Sequence, residues 1–223
     1  DVPYRGAFKS NDERLNQIWQ TGAYTVHQCM QEFLWDGIKR DRLVWMGDMH
    51  PEIMTISNVF GYNEVVPKSL DLARDSTPLP GWMNDMYPYS MWWVLAQRDW
   101  YWYNGDKEYL EQQREYLLGL LELFHKRVDE KGFELSGGDF LDWPSEENEP
   151  AQKAGVQALM MMTMKSAAEL CDILGETAMA ERCRDCHARM ASVASQVSEE
   201  YYKVALAPGE PGSKQGTSLM VLA

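Results

Sequence analysis

Helical periodicity runs through most of this 223-residue chain, and it is the feature that most restricts the possible folds. In the first segment, apolar residues recur at three- and four-residue spacing from Leu15 to Met30, the pattern of an amphipathic helix capped at Ser10 or Asn11. Short breaks with Gly, Pro or Asp separate the segments. The remaining helices are predicted at about 50–60, 66–75, 89–103, 107–128, 150–174, 177–202 and 213–223.

These segments predict an all-α fold, because no regular run of strands interrupts them. Helices of this length joined by short loops pack as pairs side by side around an axis. No linker or low-complexity stretch divides the chain. The last segment, 213–223, resembles a buried helix that continues, so we expect residues 1–223 to be the N-terminal portion of one larger helical domain.

The composition narrows the possible ligands. A net charge of −13 without a basic patch argues against nucleic acid as a partner. No apolar run approaches the roughly 18–20 residues that cross a bilayer, so no membrane partner is predicted. Nine Trp and eleven Tyr are many for a core of this size, and flat aromatic faces suit the C–H faces of sugar rings. A Trp-rich core remains an alternative interpretation.

Neither a cofactor nor a metal is predicted. Cys183, Cys186 and His187 match the haem c attachment motif, but they lie inside a long amphipathic helical pattern, which favours partly buried thiols. A metal site would need two further ligands nearby, and none is evident. His27 is predicted to pack within the first helix. For His50, which directly follows Met49, a position facing the candidate site remains an alternative to a position outside it.

The main candidate site is a polar stretch between two helices, Asp36-Gly-Ile-Lys-Arg-Asp-Arg-Leu-Val-Trp-Met-Gly-Asp48, which we call the acidic signature. It contains three carboxylates, three cations and one Trp. Glycoside hydrolysis needs one carboxylic acid to protonate the leaving oxygen and a second carboxylate to activate water or to attack carbon. Flanking cations tune which carboxyl group keeps its proton. On chemistry alone, a solvated surface loop with ion pairs is the favoured interpretation, because mixtures of Asp and Arg are common on protein surfaces.

The acidic signature closely resembles the active-site signature of the glycoside hydrolase family 78 α-L-rhamnosidases. Further blocks of the sequence resemble the same family, so the resemblance covers nearly the whole chain. These blocks are Tyr89–Trp93, Arg98–Trp100, Phe140–Pro144, Ala154–Leu159, Ala168–Cys171 and Lys214–Gly216. A thirteen-residue motif with several supporting blocks is much more specific than a single short motif.

The resemblance implies part of an (α/α)6 barrel with an inverting glycosidase site at one end. By position, Asp41 matches the general acid. The residues that the resemblance places around the sugar are Asp36, Arg40, Trp45, Asp48, Trp82, Asp142 and Trp143. Among these, Trp82 is aligned least securely, and Asp142 has either a sugar contact or a scaffold role. The implied partner is a rhamnose-containing glycoside or polysaccharide, together with the rest of the catalytic domain and accessory β-domains.

Two departures from the family pattern affect the expected chemistry. Many family members have Glu where this chain has Asp41, whose side chain is one methylene shorter. The family's general base is a Glu that we expect beyond Ala223. Glu146, Glu147 and Glu149 are interpreted instead as charges at a helix N-terminus. A related (α/α)6 glycosidase for another sugar and a non-catalytic sugar-binding homologue are the alternative functions.

Overall fold

A computed structural model describes residues 2–136, 139–205 and 213–223. Within these residues the chain forms eight α-helices and two short 3-10 turns, at Met83–Asp85 and Trp143–Ser145. The helices are α1 (Glu13–Cys29), α2 (Met46–Val59), α3 (Val65–Asp75), α4 (Tyr87–Asn104), α5 (Lys107–His125), α6 (Glu149–Leu174), α7 (Thr177–Ala205) and α8 (Lys214–Leu222).

The helix ends follow local chemistry. Asp12, rather than Ser10 or Asn11, is the N-cap of α1, because its carboxylate accepts a hydrogen bond from the Arg14 amide at 2.9 Å. Asp106 caps α5 in the same way. The α4 helix ends at Gly105 in the left-handed region, where a residue without Cβ is favoured. Such caps satisfy the backbone groups that a helix end leaves unpaired.

Helix α4 lies at the centre of the described structure. It packs against α2, α5 and α6, while α7 and α8 pack on α6, and α1 packs on α2. Trp93 and Trp100 of α4 are completely buried, as the nearly continuous apolar sequence of this helix predicts. Several of the Trp residues therefore do belong to the core, although others remain at the surface. In the described part of the chain, no helix is both long and apolar enough to span a membrane.

The predicted start of α2 is wrong by about one turn. The sequence predicts a helix from about residue 50 with Pro51 in its first turn, but α2 begins at Met46 and includes Pro51. Asn84 explains the early start, because its side-chain amide hydrogen-bonds to the backbone of Val44 and Met46 and fixes the entry of the chain into the helix. As a result, Asp48 lies in the first turn of a helix rather than in a loop.

The all-α prediction is confirmed. In the described ranges, β-structure amounts to two isolated bridges, Met30 with Leu34 and Val128 with Glu134. Both bridges lie in connections between helices, so they add no sheet layer. The loops that follow α1 and precede α6 lie on the same side of α4, and together they form the cavity described below.

Candidate active site

A cavity of about 730 Å³ opens at the ends of α2, α4 and α6. This volume is within the range of small-molecule sites. Most of the residues around it come from the acidic signature and from the connection before α6. The lining residues are Asp36, Gly37, Ile38, Lys39, Arg40, Asp41, Trp45, Asp48, Met86, Tyr89, Phe140, Trp143 and Glu146.

Asp36 closes the loop that presents the charged residues of the signature. Its backbone amide donates to the Leu43 carbonyl at 3.1 Å, and its carboxylate accepts from the Leu43 amide at 3.1 Å. Arg42 has a φ of 52°, in the left-handed region, and its guanidinium lies 5.8 Å from the centre of the Trp35 ring. These contacts fold residues 37–41 outward as a compact loop on one side of the cavity.

Asp41 and Arg40 lie exposed on that loop. The surface interpretation of the signature requires ion pairs between its cations and its carboxylates. In the described part of the chain, none of the ion pairs within 4 Å involves Lys39, Arg40, Asp41 or Arg42, so this interpretation lacks its main requirement. Asp41 is therefore free to meet a ligand in the cavity.

Asp48 reaches the same cavity from the first turn of α2. A carboxylate there is favoured by the helix dipole. Burial by the surrounding protein and the negative charges of Asp36 and Asp142 nevertheless raise the pKa of Asp48. Hydrogen-bond donors that enter the cavity, such as sugar hydroxyls, would therefore stabilise the ionised form of Asp48.

An aromatic wall faces these carboxylates. Trp45 meets Tyr89 edge-on at 6.2 Å between ring centres, Tyr89 lies 6.2 Å from Phe140, and Phe140 lies 5.2 Å from Trp143. Tyr89 approaches α2 at Gly47, where a Cβ would lie 2.6 Å from the Tyr89 ring. Trp143 is 73% exposed and forms the outer end of the wall. The cavity therefore combines acidic groups with flat apolar faces.

The connection before α6 is anchored by a close contact with that helix. The buried Leu141 side chain lies against Gly155 of α6, where a Cβ would be 2.2 Å from a Leu141 methyl carbon. Asp142 accepts a hydrogen bond from the Trp143 amide at 2.8 Å and caps the short 3-10 turn. Asp142 is not among the cavity-lining residues, but its charge acts on Asp48 and Tyr89. Its position suits the scaffold role.

Trp82 lies away from this cavity. Its ring stacks on Phe124 at 5.8 Å, meets Tyr87 edge-on at 5.0 Å, and carries the Arg127 guanidinium at 5.4 Å. It borders a separate shallow cavity of about 370 Å³ with Thr77 and neighbouring residues. The contribution of the Trp82 loop to the candidate site comes through another residue, Asn84.

Asn84 connects that loop to both sides of Trp45. Its amide nitrogen donates to the Val44 carbonyl at 3.0 Å, and its amide oxygen accepts from the Met46 amide at 3.0 Å. The residue has a φ of 53°, a conformation that Asn adopts more readily than most residues. Asn84 thereby positions Trp45 and the first turn of α2.

Sequence reasoning missed several residues at the site. Tyr89, Phe140 and Glu146 line the cavity although they were treated as helix, motif or capping residues, and Met86, which also lines it, was not considered. Glu52 was not considered, yet its charge is coupled to Asp48 and Asp36. The spacing of Glu52, four residues after Asp48, was the available signal, because such residues share one helix face.

Other titratable groups lie outside the cavity lining. His50 hydrogen-bonds to Asp99 at 2.8 Å and lies against Trp92, while His27 contacts Tyr4 and Phe60. The four cysteines are buried free thiols, including both cysteines of the haem-like motif. Within the described residues, no group of three or more His, Cys, Asp or Glu side chains is arranged to hold a metal ion.

Comparison with known proteins identifies related sequences and folds. The model of the bacterial α-L-rhamnosidase six-hairpin glycosidase domain matches residues 3–205. This match includes the acidic signature and both loops of the cavity. None of the curated proteins compared with the chain matches it.

Two solved structures share the fold. A GH78 family rhamnosidase of Bacillus sp. GL1 matches 88% of the chain with 22% identity and a TM-score of 0.74. A rhamnosidase from Klebsiella oxytoca with rhamnose bound matches 100% of the chain with 20% identity and a TM-score of 0.77. The chain spans 22% and 46% of the length of these two proteins, respectively. The predicted fold class, part of an (α/α)6 barrel, is thus confirmed.

Proposed function

Because the chain belongs to the bacterial α-L-rhamnosidase six-hairpin glycosidase family, we propose that its cavity binds a terminal α-L-rhamnosyl unit and supplies the general acid for hydrolysis. The substrate class is a rhamnose-containing glycoside or polysaccharide. A rhamnosidase structure with this fold has rhamnose bound, which supports this choice of sugar.

The observation that carries the proposal is the convergence of Asp36, Asp41 and Asp48 on one cavity with an aromatic wall. Carboxylates bind sugar hydroxyls through charge-assisted hydrogen bonds, which are stronger than neutral ones. Tyr89 and Trp45 supply the flat faces against which the C–H groups of a pyranose ring pack. Charged and apolar surfaces thus match the two kinds of surface on a deoxy sugar.

Asp41 is assigned the role of general acid. It is exposed at the cavity on the signature loop, and it matches the position of the family's acid. In its protonated form it gives its proton to the glycosidic oxygen as the bond to the anomeric carbon breaks. Asp36 and Asp48 hold hydroxyl groups on the sugar, and Arg40 beside Asp41 contacts the same ligand from the rim.

Trp45 and Trp143 lie at opposite ends of the aromatic wall and enclose the sugar between them, whereas Asp142 orients the Trp143 turn. Water attacks the opposite face of the anomeric carbon, so hydrolysis proceeds with inversion. The base that activates this water is expected on a segment other than the signature, because an inverting site separates its two carboxyl groups to admit the water.

The variant Asp41→Asn, made in the full-length polypeptide that the gene encodes, tests the assignment of Asp41 as the general acid. Loss of a general acid lowers kcat by about 10²–10⁴-fold. The loss should be larger for an alkyl rhamnoside than for a nitrophenyl rhamnoside, because a good leaving group needs less protonation. NMR of the first product should show the β anomer of rhamnose.

Glu115→Gln, a matched loss of one carboxylate on the exposed side of α5, serves as the control and should leave kcat unchanged. Near-normal hydrolysis of the alkyl rhamnoside by Asp41→Asn would refute the role of Asp41. Turnover of other aryl glycosides in preference to rhamnosides would instead point to a different sugar, and rhamnose binding without turnover to a non-catalytic homologue.

A further inference from the structure

Glu52 lies one helical turn after Asp48 on α2, outside the cavity lining. Residues four apart share one face of a helix, so Glu52 lies on the Asp48 side of α2. Its Oε2 atom is buried and has no hydrogen-bond partner. An ionised carboxylate in that position would leave a charged oxygen without water or a donor, which is costly.

The charged groups around Glu52 increase that cost. Asp48 on α2 and Asp36 on the signature loop are its acidic neighbours and raise its pKa, whereas a hydrogen bond from the Cys29 thiol of α1 opposes this rise but is the smallest of these effects. In the described ranges of the chain, no Lys, Arg or His forms an ion pair with Glu52. The nearest charges therefore all oppose a negative charge on Glu52.

We propose that Glu52 is a positioning residue of the sugar site, which stays protonated behind Asp36 and Asp48 so that these two residues can carry the charges that hold sugar hydroxyls. The inference rests on the proposed function for the sugar, although the protonation of Glu52 can be tested without it. A proton on Glu52 removes a third negative charge from a site where two carboxylates already repel each other.

The direction of titration agrees with this geometry. Burial, followed by the charges of Asp48 and Asp36, raises the pKa of Glu52 from 4.5 to about 8. Burial, with Glu52 and Asp36, also raises the pKa of Cys29 to about 11, so its thiol keeps the proton that it donates. Glu52 is consequently neutral at the pH values at which exposed carboxyl groups are ionised.

The consequence for stability has a definite sign. Between 4.5 and about 8, the folded protein holds a proton on Glu52 that the unfolded chain releases. The free energy of unfolding of the wild-type protein therefore falls as the pH rises through this window. Glu52→Gln keeps the shape of the protonated side chain but removes the titration.

Thermal unfolding of this chain from pH 5 to pH 8 tests the inference with wild type, Glu52→Gln and Glu115→Gln. We expect the melting temperature of Glu52→Gln to rise relative to wild type as the pH increases. Glu115→Gln should show no such divergence, because Glu115 is an exposed residue on α5. Parallel curves for wild type and Glu52→Gln would overturn the inference.

A second measurement does not depend on how well Glu52→Gln folds. In ¹³C NMR of the wild-type chain, the Glu52 carboxyl carbon should titrate with a midpoint near 8 rather than near 4.5. An ionised Glu52 carboxyl signal at pH 6 would contradict the proposal directly.

Rhamnose affinity measured by calorimetry against pH tests the link to the sugar site. Wild type should bind more weakly above pH 8 than at pH 6, whereas Glu52→Gln should retain its affinity over this range. Equal pH dependence in the two proteins would overturn the positioning role. Absence of binding at every pH in both proteins would count against the proposed function, while the melting and NMR results would still decide the protonation of Glu52.

Discussion

Two groups of acidic residues lie on the same helical core, one around the cavity and one between α4 and α6, and among the described residues only the second group is paired with cations. Around the cavity, Asp36, Asp41 and Asp48 face a common space, and no cation forms an ion pair with them in the described structure. Between α4 and α6, Asp99 and Glu169 have specific partners. The chain therefore has cations available, but uses them elsewhere.

In the α4–α6 network, the charged side chains are paired with one another. Asp99 accepts from His50 at 2.8 Å and from Arg98 at 2.8 Å, and Arg98 also donates to Glu169 at 2.8 Å. Burial opposes ionisation of Asp99, but the hydrogen bonds and charges of His50 and Arg98 prevail and lower its pKa. This network joins α2, α4 and α6.

The difference separates scaffold from site. Paired charges contribute to the fold, whereas an unpaired carboxyl group such as Asp48, whose pKa is raised by burial and by neighbouring charges, costs stability and is retained where a ligand supplies the missing donors. The comparison makes opposite predictions for the two groups: substitutions at the cavity should weaken sugar binding more than stability, and substitutions in the network should do the reverse.

Asp48→Asn should produce the largest change in sugar binding. A hydrogen bond to a charged group contributes about 1.5–3 kcal/mol, so we expect rhamnose to bind about 10- to 100-fold more weakly. Since burial and neighbouring charges raise the pKa of Asp48, removing its charge should also raise the melting temperature at pH 7. Calorimetric titration and thermal unfolding check both results. A variant that binds normally would remove Asp48 from the site.

Asn84→Ala should weaken binding by a smaller factor, about tenfold, and destabilise the fold by about 1–3 kcal/mol because two hydrogen bonds to the α2 entry are lost. Asn84→Gly is the matched control, since it loses the same bonds but accepts the left-handed backbone. Equal binding losses in the two variants would assign the effect to the hydrogen bonds. Unchanged binding in both would show that Asn84 does not position Trp45.

Asp99→Asn should destabilise the protein by about 1–3 kcal/mol while rhamnose affinity stays within twofold. Because the folded pKa of Asp99 lies below 3.8, its contribution is present above that pH and is lost as the pH falls through the folded pKa. The stability difference from wild type should thus narrow below about pH 4. A loss of affinity at neutral pH would connect the network to the site.

Trp82→Phe should have the smallest effect on binding. The ring stacks on Phe124 outside the cavity, so we expect unchanged rhamnose affinity and a loss of about 1 kcal/mol in stability. Trp45→Phe makes the same change at the aromatic wall and should weaken binding several-fold. Equal losses of affinity in the two variants would indicate that Trp82 contributes to sugar binding.

The fold was largely predictable because helical periodicity depends on local sequence. The buried α4 and the helix ends near residues 103 and 174 were readable in this way. The early start of α2 was not, because it depends on Asn84, which is 38 residues away from Met46. Loop geometry governed by side-chain to backbone bonds has no periodic signal.

The site was predictable only in part for the same reason. The signature placed Asp36, Asp41, Trp45 and Asp48 near one another because they are close in sequence. Trp82 was also assigned to the sugar pocket, although it was aligned least securely, and the packing of its loop directs it to Phe124. Tertiary contacts decide which aromatic residues face a cavity, and composition alone contains no information about them.

Trp indole resonances provide the most direct test of the central claim that this cavity binds rhamnose between its carboxyl groups and its aromatic wall. In ¹H–¹⁵N spectra of the chain titrated with L-rhamnose, the Trp45 and Trp143 indole signals should shift with a common saturation curve. The Trp82, Trp93 and Trp100 signals should stay in place, because these rings lie in other packing environments. Saturable shifts at Trp82, with none at Trp45 and Trp143, would contradict the account.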